Sequence, residues 1–344
     1  MANSGKTTNK GISIFALAML NIVAVVSLRE LPAEAEYGRS SIFYYIFAAI
    51  VFLVPVSLVA AELAKVPSDL TGLCFVSVSG HMHAIDDTEY KFAIESISQV
   101  MTLALALNQH GSKVLHEKIG ADATGLPFNS VMALELHNGK PLSPLVNAGA
   151  MATVSLVKAT GAEERWSKIL EMQSAMAGSK IKLSAQVNKS EQSTNTHNKA
   201  IALLLGASKC MYSDPFEACD VYTRQCSTLF NCVDLATMGA CLANGGVNPV
   251  TSETVLKNSL VPSLLAEMTT EGLYERSGDW AFEVGLPSKS GVGGGLVAVI
   301  PNVGALAAFS PPLDEAGNSV RGQLMIKSVA NKMGWNIFNA RVNE

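Results

Sequence analysis

The chain has 344 residues, of which 49 % are hydrophobic and 16 % charged, and its formal net charge is −4. That length supplies one large domain or two smaller ones with a sizeable core. Slight acidity without a basic block gives no electrostatic reason to expect a nucleic-acid partner. The six cysteines (74, 210, 219, 226, 232 and 241) include no C-x-x-C pair, so zinc-ribbon and thioredoxin-type readings fail on spacing. Set in apolar sequence, they read as reduced thiols acting as small buried hydrophobes, as in a cytosolic-type compartment.

The first elements are two uncharged stretches, 11–28 and 42–61, separated by the polar RELPAEAEYGRSS. Each is long enough to cross a hydrocarbon core of about 30 Å as a helix rising about 1.5 Å per residue. A pair of buried soluble helices is one alternative. A secretory leader is another, with Lys6 and Lys10 as its basic region and Ala33-Glu34-Ala35 as a cleavage site. The length of the first stretch and the immediate second one favour an uncleaved transmembrane hairpin. Lys6 and Lys10 then place the N-terminus, and everything after the hairpin, on the cytoplasmic side of the inner membrane.

From Pro67 onward the pattern is that of an ordinary globular domain. Leu73 to Ile85 alternates around Ser-Gly and predicts a β-hairpin. His81 and His83 share a strand face there, a weak metal signal without a third ligand. Helices are expected over 96–111 and 148–160, and over 234–244 with Gly245-Gly246 as its stop. Strands are expected over 295–303 and 305–310, joined by Asn-Val-Gly.

A serine amidohydrolase needs a placed hydroxyl, a base for its proton and backbone donors for the oxyanion. Ser-x-x-Lys at a helix start meets the first two needs, because residues three apart share a helix face. Here Ser96 is followed by Gln99. Two other matches, Ser155/Lys158 and Ser179/Lys182, read as coincidence. Further on, KSGVGGG (289–295) has the Lys-Ser/Thr-Gly form that lines the opposite wall of penicillin-recognising sites, where glycine permits close backbone approach.

In order, the chain carries FAIESIS, GADATGLPFNSVMALELHNGKPLSPLVNAGAM, SEQSTNTHNKAIA, CDVYTRQCS, LANGGVNP, GLYERSGDWAFEVGLPSKSGVGGG and SPPLDEAGNSVRG. Over roughly 70–340 it resembles the bacterial glutaminases, serine-dependent enzymes that turn L-glutamine into L-glutamate and ammonia. The resemblance implies an α+β, β-lactamase/transpeptidase-like fold with an antiparallel sheet flanked by helices and a helical subdomain. It implies Ser96 as nucleophile, with the Ser96 and Val292 amides as oxyanion donors. It assigns substrate binding to Asn147, Glu191 and Asn198, and active-site roles near the scissile amide to Tyr222 and Tyr274. A carboxylate at 191 suits an α-ammonium, and an amide at 198 suits an α-carboxylate. No metal or cofactor is implied, and the family assembles as dimers or tetramers.

Separately, residues 11–65 resemble the first two helices of an amino-acid permease of the glutamate/GABA-antiporter type, through SLRELP and PVSLVAAEL. The resulting organisation is a permease-like hairpin over 1–66 and a glutaminase domain over 67–344. An in-frame deletion joining two genes accounts for the pairing. About ten further spans would be needed for a transport path, so transport is not expected.

Two departures from the family bear on activity. Gln99 stands where the family has lysine, and a carboxamide has no basic lone pair to take the serine proton; Lys289 is the candidate substitute base. The family's N-terminal segment, whose tyrosine borders the substrate pocket, is replaced by the hairpin. Three readings stay open: a membrane-tethered glutaminase with activity reduced or lost, a glutamine- or glutamate-binding pseudoenzyme and, with little in the sequence to support it, a permease fragment with an inert tail.

Overall fold

The computed structural model describes residues 66–339. The predicted hairpin of 11–28 and 42–61 lies outside the described residues. Among the described residues, no helix is long and apolar enough to cross a membrane.

The domain is α+β. Strands β1 (Gly72–Ser77), β2 (Met82–Asp86), β6 (Ser288–Ser290), β7 (Gly295–Ile300) and β8 (Gly304–Phe309) form an antiparallel sheet in the order β2-β1-β8-β7-β6. The β1-β2 hairpin forms as its alternation predicts, turning at Gly80 with φ 81°. Strands β7 and β8 are buried at every residue because helices cover both of their faces. On one face Leu296, Ala298, Leu306 and Ala308 share a core with Trp280, Ile326 and Ala330. On the other, Gly239 of a buried helix stands so close that a Cβ there would lie 2.5 Å from the Ala305 Cβ and 2.8 Å from the Val297 Cγ2. A side chain at that position would push the helix off the sheet.

A smaller sheet, β3-β5-β4, is built from β3 (Phe92–Ala93), β4 (Lys182–Leu183) and β5 (Thr228–Phe230). It lies between the large sheet and a helical subdomain. Helix α1 (Ser98–Lys118) runs from its edge, followed by α2 (Val131–Leu136), α3 (Asn147–Leu156), α4 (Ala162–Ala177), α5 (Ala185–Thr194), α6 (Thr196–Ala207) and α7 (Pro215–Cys226). Their shared core includes Met151, Ile169, Ile201, Leu205, Val221 and Tyr222. The sheet is flanked by α8 (Cys232–Ala243), the helix of Gly239, and by α9 (Val261–Glu271), α10 (Ser277–Glu283) and α11 (Val320–Met333).

Expected boundaries shift by three residues or more in three places. Gly111, the expected end of α1, is indeed non-helical (φ 79°, ψ 164°), but helix resumes beyond it to Lys118. Helix α3 ends at Leu156 rather than at 160, and β7 ends at Ile300 rather than at 303. All six cysteines are free thiols.

Candidate active site

Ser96 is delivered by the junction of sheet and helix. Phe92 pairs with Phe230, Ala93 with Leu229, and the Ile94 amide donates to Thr228 O at 2.9 Å. Phe92 is further fixed by stacking on Phe309, with centroids 4.3 Å apart. The backbone then turns through Glu95, a non-glycine residue at φ 52°, into one 3₁₀ turn (Glu95–Ile97) that runs directly into α1. A left-handed residue of this kind costs on the order of 1–3 kcal/mol and persists only where its surroundings fix it. Ser96 and Gln99 are both buried.

The opposite wall is the turn between β6 and β7. A Cβ on Gly291 would stand 2.7 Å from Ile94 O, and one on Gly293 would stand 2.1 Å from Ala93 O. Only glycine lets this turn lie on the backbone that leads into Ser96. Within the turn Gly291 donates to Gly295 O and Gly294 to Gly291 O, which leaves the intervening Val292 amide outside that pairing. Lys289 is completely buried; its Nζ donates to Ser290 O at 2.8 Å and sits 4.1 Å from the Tyr274 ring centroid. Burial brings its pKa down to about 7, against the opposing pull of the Glu271 carboxylate. Tyr274, also left-handed at φ 56°, donates to Ser290 O at 3.3 Å. Burial raises its phenol pKa, and Phe128 lies against its ring at 4.5 Å.

The third wall comes from the helical subdomain. Gln99 Nε2 donates to the Tyr222 hydroxyl (3.2 Å), Tyr222 donates to Asn147 Oδ1 (3.0 Å), and Asn147 Nδ2 donates to Asn198 Oδ1 (2.9 Å). The chain starts from a group that only gives: Gln99 Oε1 is buried with no partner. Leaving such an acceptor unsatisfied costs about 1–3 kcal/mol. Burial raises the Tyr222 pKa well above its ordinary value. Glu191, on α5, is half-buried; its pKa is raised by burial, and its charge adds to the burial that raises Glu95. Two carboxylates that resist ionising side by side favour a cation between them.

The structure therefore brings together Gln99, Tyr222, Asn147 and Asn198 along one line of hydrogen bonds, and Tyr274, Lys289 and the Val292 turn around Ser290, with Ser96 in the turn that leads into α1. Sequence reasoning passed over Glu95, although it adjoins Ser96 in the quoted motif; its left-handed backbone and the repulsion it feels from Glu191 have no local signature. Phe128, Ser290 and Glu271 were passed over too. The coincidental pairs are engaged elsewhere. Ser155 donates to Ala152 O and Lys158 to Gln109 O, while Ser179 donates to Asp234. His81 bonds Ser79, and among the described residues no three His, Cys, Asp or Glu are grouped to hold a metal ion. A surface cavity of about 350 Å³ between α1 and α9, lined by Leu107, His116 and Glu267 among others, includes none of the residues around Ser96.

A family model described as Glutaminase matches residues 56–338, starting inside the second uncharged stretch rather than at 67. A glutaminase of Bordetella avium is 66 % identical over 277 residues, 80 % of this chain and 89 % of that protein. The solved structure of a probable glutaminase matches with a TM-score of 0.80 at 60 % identity, covering 80 % of this chain and 90 % of that one. The structure of Mglu in its glutamate form matches with a TM-score of 0.76 at 30 % identity, covering 81 % of this chain and 64 % of that one.

Proposed function

Since the chain belongs to the glutaminase family, hydrolases that convert glutamine to glutamate, we propose that it does so through Ser96 as nucleophile and Lys289 as base. The observation that carries this reading is the buried pair Tyr274 and Lys289, 4.1 Å from ring centroid to Nζ and both donating to Ser290 O, beside the glycine turn that lies on the backbone leading into Ser96. An amine whose pKa is brought down to about 7 is neutral in a large fraction of molecules near neutral pH, as a general base requires. Ser96 Oγ attacks the side-chain carbonyl carbon of glutamine while its proton passes to Lys289, directly or through the Tyr274 hydroxyl. The amides of Ser96 and Val292 hold the oxyanion. As the C–N bond breaks, the proton returns to the leaving nitrogen and ammonia departs. Water then attacks the acyl ester, its proton taking the same route, and glutamate and free Ser96 are released.

For substrate binding, Glu191 beside Glu95 suits the α-ammonium, and the amides of Asn147 and Asn198 suit the α-carboxylate, with Tyr222 completing the wall. That Mglu has a glutamate form supports an amino acid of this size as the ligand. Gln99 works against turnover, since its amide occupies the helix position from which a lysine would act and offers no base. The same residue favours a second reading, in which glutamine or glutamate binds without being turned over.

Ammonia release from glutamine by the full-length chain, beside Gln99→Lys and Ser96→Ala, separates the readings. Turnover lost in Ser96→Ala supports Ser96 with a base other than residue 99. A silent native chain restored by Gln99→Lys supports the binding reading. Turnover that survives Ser96→Ala rejects the serine mechanism. We further propose that residues 11–61 tether the domain to the inner membrane facing the cytoplasm, that this segment derives from a permease, and that the domain assembles as a dimer or tetramer. Release of the chain from membranes by alkaline carbonate would reject the tether.

A further inference from the structure

We propose that Asn318 is a positioning residue for the glutaminase reaction, a single amide that clamps the segment carrying Tyr274 to the segment carrying Lys289 and Val292. The inference rests on the serine mechanism proposed above. Asn318 is fully buried. Its Oδ1 accepts from Ser290 Oγ, and its Nδ2 donates to Leu273 O at 3.4 Å. Leu273 is the residue before Tyr274, and Ser290 lies between Lys289 and the Gly291–Gly294 turn. One planar side chain thus bridges two stretches whose separation fixes the geometry around Ser96.

The bridge bears on the chemistry because the Ser290 peptide is a shared point. Its carbonyl accepts from both Lys289 Nζ and the Tyr274 hydroxyl, while its amide donates to Gly272 O at 3.1 Å. A shift or rotation of Ser290 would move base and phenol together. Asn318 is itself held. Its backbone N–H donates to Asp314 Oδ1 at 2.9 Å, its backbone carbonyl accepts from the Asp314 N–H at 2.8 Å, and Asp314 Oδ2 accepts from Gln323 Nε2 at 2.9 Å. The same turn presents Gly317 at φ 90°, where a Cβ would come within 3.1 Å of Val292 Cγ1 and 4.0 Å of Tyr274 Cε2. The Asp314–Asn318 turn is therefore the backing of both the oxyanion turn and the tyrosine.

Asparagine is the residue type this position needs. Aspartate keeps the acceptor for Ser290 and loses the donor for Leu273, whereas alanine leaves both partners unsatisfied. Asn318 reaches Ser96 only through Tyr274 and Ser290, so its loss should lower the rate of the chemical step more than it weakens binding.

The test uses the full-length chain, with its own Lys289 as the base, and measures kcat and KM for glutamine. Asn318→Ala and Asn318→Asp are each expected to lower kcat by roughly ten- to a hundredfold, with KM within about threefold. Adding Ser290→Ala to Asn318→Ala should cost little more, because the two groups act as one link. An unchanged kcat in a folded variant, a loss confined to KM, or fully multiplicative effects would overturn the proposal. A crystal structure of Asn318→Ala decides independently of turnover. The Tyr274 hydroxyl is expected to leave Ser290 O, and an undisturbed contact would overturn the inference. Failure of the serine mechanism is seen separately, as turnover that persists in Ser96→Ala.

Discussion

At the scale of single residues, the site shows one fold supporting two unlike nitrogen groups near one hydroxyl. Gln99, in the first turn of α1, can only donate to Tyr222, and its oxygen is stranded in the interior. Lys289, on the far wall, is a buried amine whose charge is disfavoured by desolvation. If Lys289 takes the Ser96 proton, kcat/KM for glutamine should rise as pH passes upward through about 7 and then level off, because only the neutral amine is a base. Lys289→Met should lower turnover at least a thousandfold, roughly the loss that follows removal of a serine hydrolase's base. Ammonia release measured from pH 5 to 9 checks both; a rate independent of pH across that range would remove Lys289 from the role.

At the scale of elements, the Gly291–Gly294 turn does most to bring the walls together. Gly293→Ala would force a methyl group to within 2.1 Å of Ala93 O, so the turn must retreat from Ser96 or β3 must give way. We expect a loss of about 1–3 kcal/mol of stability, read from urea unfolding, together with a fall in kcat measured alongside it. Full stability with full activity would show that the walls tolerate separation. This contact also marks what the sequence makes legible. The glycine run, the β1-β2 alternation and the α8 stop at Gly245-Gly246 are local patterns, and each was readable. The two-residue strands β3 and β4 are too short to carry a period. Glu95 turns left-handed without being glycine, so no local rule signals it. Asn318 matters through Ser290 and Leu273, residues 28 and 45 positions away, a pairing that only the folded chain creates. Where the site was legible, it was through resemblance over a long series of motifs rather than from any one tetrapeptide.

At the scale of the whole molecule, buried ionisable groups tie stability to pH. Burial raises Glu267, which accepts from Ser143 Oγ, from 4.5 to about 7. The folded state thus holds its proton more tightly, and between pH 4.5 and 7 stability falls as pH rises. Glu267→Gln keeps the acceptor for Ser143 and removes the charge. It should match the native chain near pH 4.5 and exceed it above pH 7, by up to about 3 kcal/mol. Urea titrations at pH 4.5 and 8 check this, and equal differences at both would discard the linkage. Lys289 acts in the opposite direction, since its lowered pKa makes stability rise from pH 7 toward 10.5. The close seating of the glycine turn on the backbone before Ser96 has a further consequence, in time rather than in space. Val292 follows Ser96 by 196 residues, so the serine and the glycine turn meet only after nearly the whole domain has been synthesised and the sheet has closed. Such long-range pairings form slowly and late. The nascent chain accordingly carries no working centre while its helices are forming, and the recovery of turnover during refolding should lag behind the recovery of helicity.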